Sequence, residues 1–276
     1  MRPHPLILAA LAALFTACST TRPTAGSSND PQARLAAHGI DAVLWQNASA
    51  EVYWIYQQAY EHALIKLVGN IAALNNSYAD DAPRRPMAVI VDIDETVLDN
   101  SPYQITAIRR GRTFNKQDWK DWTDRGIAKA SPGAVDFLRN AAAARCEVFY
   151  ITNRDTSERR STLRNLADLG FPDADDAHLL LMSGSGDKTA RRATVAATHD
   201  VVLLVGDQLT DFDERFADRG VDHGRRTVDQ LADSLHRFFV LLPNPMYGAY
   251  RDVVRGKGSD AERHDKVMRW IEENSY

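Results

Sequence analysis

The sequence predicts an α/β domain, a parallel sheet with helices on both faces and a small helical piece added. Three observations lead there. Short, nearly continuous apolar runs recur at Ala88–Val91, Val148–Ile151, Leu179–Met182, Val201–Val205 and Phe238–Leu242. Such runs suit strands buried on both faces, as in parallel sheets. Helical stretches alternate with them, which is the βαβ signature. The 276 residues, 44% hydrophobic and 25% charged, suffice for one large domain or one domain with a small companion. The net charge of -4 supplies no general attraction to nucleic acid, which is excluded as an expected partner. A local cationic site for an anion stays compatible with that charge.

The elements follow in chain order. Residues 1–17 read as a signal peptide: Arg2 is positive, and Leu6–Phe15 is apolar but too short to span a bilayer. Leu14-Phe15-Thr16-Ala17-Cys18 resembles a bacterial lipoprotein cleavage site, with Cys18 as the lipidated first residue and Phe15 in place of the usual aliphatic residue. The chain is then anchored to a membrane without spanning it. Ser19 is not the Asp type of inner-membrane retention signal, so an outer-membrane lipoprotein, periplasmic or surface-facing, is expected. Residues 18–38 read as a flexible tether, on the Ser-, Thr-, Pro- and Gly-rich stretch to Gln32. Once Cys18 is lipidated, Cys146 is left alone and no internal disulfide is expected.

Residues 39–80 are helical by periodicity, with Val43, Leu44, Ala48, Val52, Ile55, Tyr56, Ala59, Tyr60, Ala63, Leu64 and Leu67 recurring about every three or four residues. The α/β core is expected over 81–276. Ser131-Pro132 reads as a helix N-cap and first-turn proline. Thr156–Leu169 is a helix closed by Gly170, and Asp187–Ala197 is another. The stretch of about 99–130, with Trp119 and Trp122, is too long for an ordinary loop. It is expected to form a helical insert over the sheet, packed with the N-terminal helix.

Ligands of open parallel sheets bind at the carboxyl ends of the strands. Here those ends carry Asp92 and Asp94; Thr152, Asn153 and Arg154; and Gly206, Asp207 and then Asp211. Lys188 opens the helix after Leu179–Met182. Carboxylates with a lysine at one rim suit a divalent cation beside an anionic group. Alternation along a strand would aim Asp92 and Asp94 oppositely, so the chain must leave strand geometry at Ile93-Asp94. Taken singly, each motif has an ordinary reading as a turn, a cap or a surface charge. "GSGDKT" has Asp187 where a P-loop needs Gly, and Asp222 replaces the Arg that histidine phosphatases require before His223.

Taken together, "DIDETV", Thr152, Lys188 and "GDQLTD" resemble, in order, the four motifs of the haloacid dehalogenase superfamily. With "LWQNASAEVY", "YITNR" and "LPNPMYG", the chain resembles the class C bacterial acid phosphatases. Gln208 departs from that group, which usually has Asn there. The resemblance implies a Rossmann-like core with a helical cap. It implies a metal-dependent phosphomonoesterase, an acid phosphatase with 5′-nucleotidase character, acting through an aspartyl-phosphate. Asp92 would be the nucleophile and Asp94 the general acid and base. Mg²⁺ would be held by the Asp92 carboxylate, the Asp94 backbone carbonyl and Asp207, with Asp211 in support. Thr152, Asn153 and Lys188 would bind phosphate. Tyr247, with Trp45 and Tyr103, would contact the substrate, a nucleoside monophosphate or aryl phosphate. The alternatives are a narrow-specificity superfamily phosphatase or phosphomutase, and a non-catalytic surface binding lipoprotein. The presence of Asp92, Asp94, Lys188, Asp207 and Asp211 together weighs against the last.

Overall fold

A computed structural model describes residues 30–79 and 83–276. The residues read as a signal peptide and Cys18 lie outside the described residues. The N-terminal helices are α1 (Pro31–Ala37), α2 (Ile40–Ala48) and α3 (Ala50–Ser77). Then come β1 (Met87–Val91), β2 (Leu98–Asp99), α4 (Ser101–Arg109), α5 (Lys116–Thr123), β3 (Lys129–Ala130), α6 (Ala134–Ala143) and β4 (Cys146–Asp155). The chain continues through α7 (Arg159–Asp168), β5 (Leu179–Met182), α8 (Thr189–Thr198), β6 (Asp200–Gly206), α9 (Arg225–Gln230), α10 (Ala232–Phe238) and β7 (Phe239–Leu241). It ends with α11 (Ala249–Arg255) and α12 (Asp260–Glu273).

The main sheet has the order β5-β4-β1-β6-β7 and all its pairings are parallel. β1 lies at the centre, with Val91 level with Tyr150 on one side and Val205 on the other. The pleat sends Val89 and Val91 into the larger core with α3 and α6, and Ala88 and Ile90 to the face that α8 covers through Val195. Both faces of the strand are dry, which is why its sequence is apolar without alternation.

The structure corrects three expectations. The stretch read as tether contains α1, which is capped by the Asp30 side chain and buries Leu35 and Ala36. It packs against α4 and α12, so burial of one apolar turn ends the flexible segment earlier than composition suggested. The N-terminal helical stretch is broken at Ser49, whose hydroxyl accepts from Val52 N at 3.1 Å. Of the two pieces, α2 lies on α4 of the insert, whereas α3 lies on α6, β6 and β7. Finally, α6 starts at Ala134 and not at Ser131-Pro132, because Gly133 stands in the left-handed region (φ 84°) and interrupts helical geometry. Ser131 N donates instead to Val97 O at 3.0 Å, joining the return of the insert to the loop after β1. The insert comprises α4 and α5 between β2 and β3, which pair antiparallel. No helix among the described residues is long and apolar enough to cross a membrane.

Candidate active site

The loop after β1 leaves strand geometry at once. Asp92 N still donates to Val205 O at 3.0 Å, one residue past the strand. The chain then turns: the backbone N–H groups of Val97 and Leu98 both donate to Ile93 O at 2.9 Å. Glu95 takes φ 57°, a left-handed conformation that costs a non-glycine residue free energy. The turn brings Asp92 and Asp94 to the wall of one cavity of about 960 Å³. Two tyrosines one turn apart on α3 hold this strained loop. Tyr56 Oη donates to Glu95 O at 2.7 Å, and Tyr60 Oη to Thr96 O at 2.9 Å.

Around Asp92 the charges converge. Oxygens of Asp92, Asp207 and Asp211 all lie within 4.8 Å of one another. Lys188 Nζ donates to Asp92 and, at 2.7 Å, to Asp211. Burial opposes the lysine's charge, but Asp211 and Asp92 outweigh it and raise its pKa. Asp207 is pushed up to about 7 by burial and then by Asp211, although Gln208 and Asn244 donate to it at 2.8 and 2.7 Å. So close an approach requires glycine at 206, where a Cβ would fall 2.7 Å from that of Asp211.

Asp94 is held from three sides. Arg154 donates to it through Nε at 3.0 Å and Nη2 at 2.8 Å, Asn100 Nδ2 at 2.8 Å and Thr152 Oγ1 at 3.3 Å. Arg154 is only 2% exposed, and burial, which disfavours its charge, is outweighed by Asp94. Trp122 Nε1 donates to Asn100 Oδ1 at 2.8 Å, so the insert fixes the orienting amide.

Asp92, Asp94, Asn153, Lys188, Asp207, Asp211 and Tyr247 all line the cavity. Thr152 stands behind, buried, with its hydroxyl on Asp94. Asn153 is exposed and accepts from Arg191 Nη2 at 2.7 Å. Tyr247 Oη donates to Glu95. The other two aromatic expectations are corrected. Trp45 packs against the core and Tyr103 is buried, and neither is among the lining residues. Phe114 and Trp119 line the cavity instead, with Tyr103 edge-on beneath Trp119 at 5.1 Å. The sequence placed Arg154 at the rim without giving it a role, and gave Asn100 and Asn244 no place in the site. Arg154 within "YITNR" and Asn244 within "LPNPMYG" carried a signal in their strand-end positions; Asn100 carried none.

The donor set fits a divalent cation. Two buried carboxylates, Asp92 and Asp207, and the partly buried Asp211, all hard oxygen ligands, face a single lysine charge, and burial together with the Asp211 charge raises Asp207.

Residues 14–250 match the family described as HAD superfamily, subfamily IIIB (Acid phosphatase). The chain belongs to that family. Two solved structures of the class C acid phosphatase from Bacillus anthracis resemble this member. One matches with a TM-score of 0.76 and 33% identity, over 86% of this chain and 97% of that one. The other, with tungstate bound, gives 0.77 and 32%, over 88% and 98%. Acid phosphatase 1 of Solanum lycopersicum is 29% identical over 167 residues, 57% of each chain. The Stem 31 kDa glycoprotein of Glycine max is 26% identical over 164 residues, 57% of this chain and 58% of that one. The match thus spans little more than half of these plant relatives. The parallel-sheet α/β fold described above is the fold of the class C acid phosphatase from Bacillus anthracis.

Proposed function

We propose that the protein is a metal-dependent phosphomonoesterase that works through an aspartyl-phosphate. The observation that carries this reading is the convergence of Asp92, Asp207, Asp211 and Lys188, with Asp94 beside them on the same wall. The Bacillus class C acid phosphatase has been solved with tungstate, an oxyanion, bound, which agrees with an anionic substrate for this family member. A carboxylate oxygen of Asp92 attacks phosphorus, the bond to the leaving oxygen breaks, and Asp94 gives that oxygen its proton. Water then attacks the same phosphorus, Asp94 takes its proton, and the bond to Asp92 breaks to release phosphate. Arg154, Asn100 and Thr152 hold the Asp94 carboxylate in one orientation for both transfers. Lys188 and Asn153 bind the oxygens of the phosphoryl group. Asp92, the Asp94 carbonyl, Asp207 and Asp211 would hold Mg²⁺, which offsets charge as a carboxylate approaches an anionic ester.

The substrate class we propose is nucleoside monophosphates and aryl phosphates, whose rings fit the Trp119, Phe114 and Tyr247 walls. Export through a lipidated Cys18 to the outer membrane completes the reading. It rests on the sequence, and incorporation of labelled fatty acid that persists in C18S would overturn it. The enzymatic reading is tested by phosphate release from the chain without residues 1–18, with Mg²⁺ or with EDTA. Release in Mg²⁺ that D92N abolishes is the expected result. Equal release in EDTA, or normal turnover by D92N, refutes it.

A further inference from the structure

The cavity that holds Asp92 continues past Tyr247 along α11 to a second, oppositely charged wall. Arg251, Arg255, Lys257 and Arg263 line it there, and Asp252 is the one acid beside them. Arg251 and Arg255 are one turn apart, about 6 Å along the helix axis. These cations are poorly partnered. Among the described residues six buried side-chain polar atoms have no hydrogen-bond partner, and three of them are Nε of Arg251, Arg255 and Arg263. Nε of Arg219 and Nδ1 of His38, also among the six, line the adjoining groove between α11 and α12. Arg251 donates through Nη1 to Met246 O at 2.6 Å, and its Nε lies 3.9 Å from Asp252. Arg255 and Arg263 have no ion pair or side-chain hydrogen bond among the described residues. Burial, followed by the neighbouring Arg251 charge, pushes Arg255 down to about 10.

Like charges with unmet donors, held together in a partly dry wall, are costly unless an anion joins them. The Nε–Nη edge of arginine matches two phosphate oxygens. Placed in the reaction cavity, this edge can bind a remote part of the molecule whose phosphate lies at Asp92. Resting on the phosphomonoesterase reading, we infer that Arg251, Arg255 and Arg263 form a second anion subsite, and that the preferred substrates are phosphomonoesters carrying a second phosphate. Nucleoside 3′,5′-bisphosphates are the representative class. The reaction is unchanged: the ester bond at Asp92 breaks and the second phosphate stays on the product.

The test compares adenosine 5′-monophosphate with adenosine 3′,5′-bisphosphate, using the whole enzyme with Mg²⁺. One charge-assisted hydrogen bond more gives the bisphosphate a KM about tenfold lower at similar kcat. In the R255Q/R263Q variant that advantage falls to less than about twofold while the monophosphate KM holds, and R255K/R263K recovers part of it. Equal KM values in the wild type, or an advantage that survives in R255Q/R263Q, overturns the inference. Millimolar inorganic phosphate that removes the advantage without slowing the monophosphate would assign the subsite to the free anion and overturn the substrate class. An aryl phosphate control separates the two readings. If no ester is hydrolysed, the phosphomonoesterase reading fails. The calorimetric affinities of the two nucleotides in EDTA, which need no turnover, then still decide the subsite: about tenfold tighter bisphosphate binding supports it, and equal binding overturns it.

Discussion

Removing the hydroxyl of Tyr56 tests whether α3 is part of the active site. The ring is 2% exposed, and its Oη donates to Glu95 O at 2.7 Å and approaches Pro243 O at 3.1 Å. One carbonyl belongs to the turn that carries Asp94, the other to the segment that carries Asn244 and Tyr247. A hydroxyl has one proton, so Y56F deletes one full hydrogen bond and leaves buried carbonyl oxygen unpaired. That costs ~1–3 kcal/mol. At about 2–4 °C per kcal/mol for a chain of this size, the melting temperature falls by about 6 °C. Glu95 at φ 57° needs its surroundings to hold it, so the loss is also felt in kcat, which drops by about tenfold while KM changes little. Y60F, which frees Thr96 O in the same turn, acts similarly, and the double variant loses less than the sum because both bonds hold one loop. Calorimetry and steady-state kinetics on the three variants measure this. Unchanged melting temperature and kcat in Y56F, or strict additivity in the double variant, would refute a shared clamp.

Three other outcomes are expected. K188M leaves the buried Asp92 and the partly buried Asp211 without their cation, so it lowers stability by ~3–5 kcal/mol in urea titrations and kcat by at least ~100-fold. In EDTA, Asp207 keeps its proton up to about 7 when folded, while the unfolded chain releases it near 3.8. Folding therefore binds the extra proton, and the wild type loses stability through this group as pH rises from about 4 to 7. D207N lacks that loss. Its stability relative to wild type should rise by ~1–3 kcal/mol between pH 4.5 and 7.5, and Mg²⁺ should close the gap by stabilising only the wild type; a gap independent of pH would contradict the raised pKa. Cys146, buried and with its thiol pushed to about 11 by that burial, should resist a thiol-specific reagent at pH 8 until the protein is unfolded.

The central strands were legible because both of their faces are covered, and that condition writes an unbroken apolar run into the sequence; the edge strand β7, with Leu241 50% exposed, is short and covered less completely. The chemical residues were legible for a related reason: a parallel sheet gathers its carboxyl ends on one rim, so Asp92, Lys188 and Asp207 could be placed together before any geometry was known. Composition alone misjudged α1, since a helix of seven residues held by Leu35 and Ala36 shows no periodicity long enough to detect. It misjudged the start of α6, since only the left-handed Gly133 distinguishes a turn from a helix there. The aromatic wall was decided by tertiary structure, because nothing local distinguishes the buried Tyr103 from the cavity-facing Trp119. The same holds for Arg154, Asn100 and the α3 tyrosines, whose partners are residues distant in the chain. The sequence by itself determined the sheet and the rim on which Asp92, Asp94 and Asp207 gather, which depend on local pattern and strand topology. Only the folded chain decided which side chains hold Asp94, which cations remain unpaired beside α11, and which rings line the cavity, because those follow from contacts between segments that carry no mark of one another.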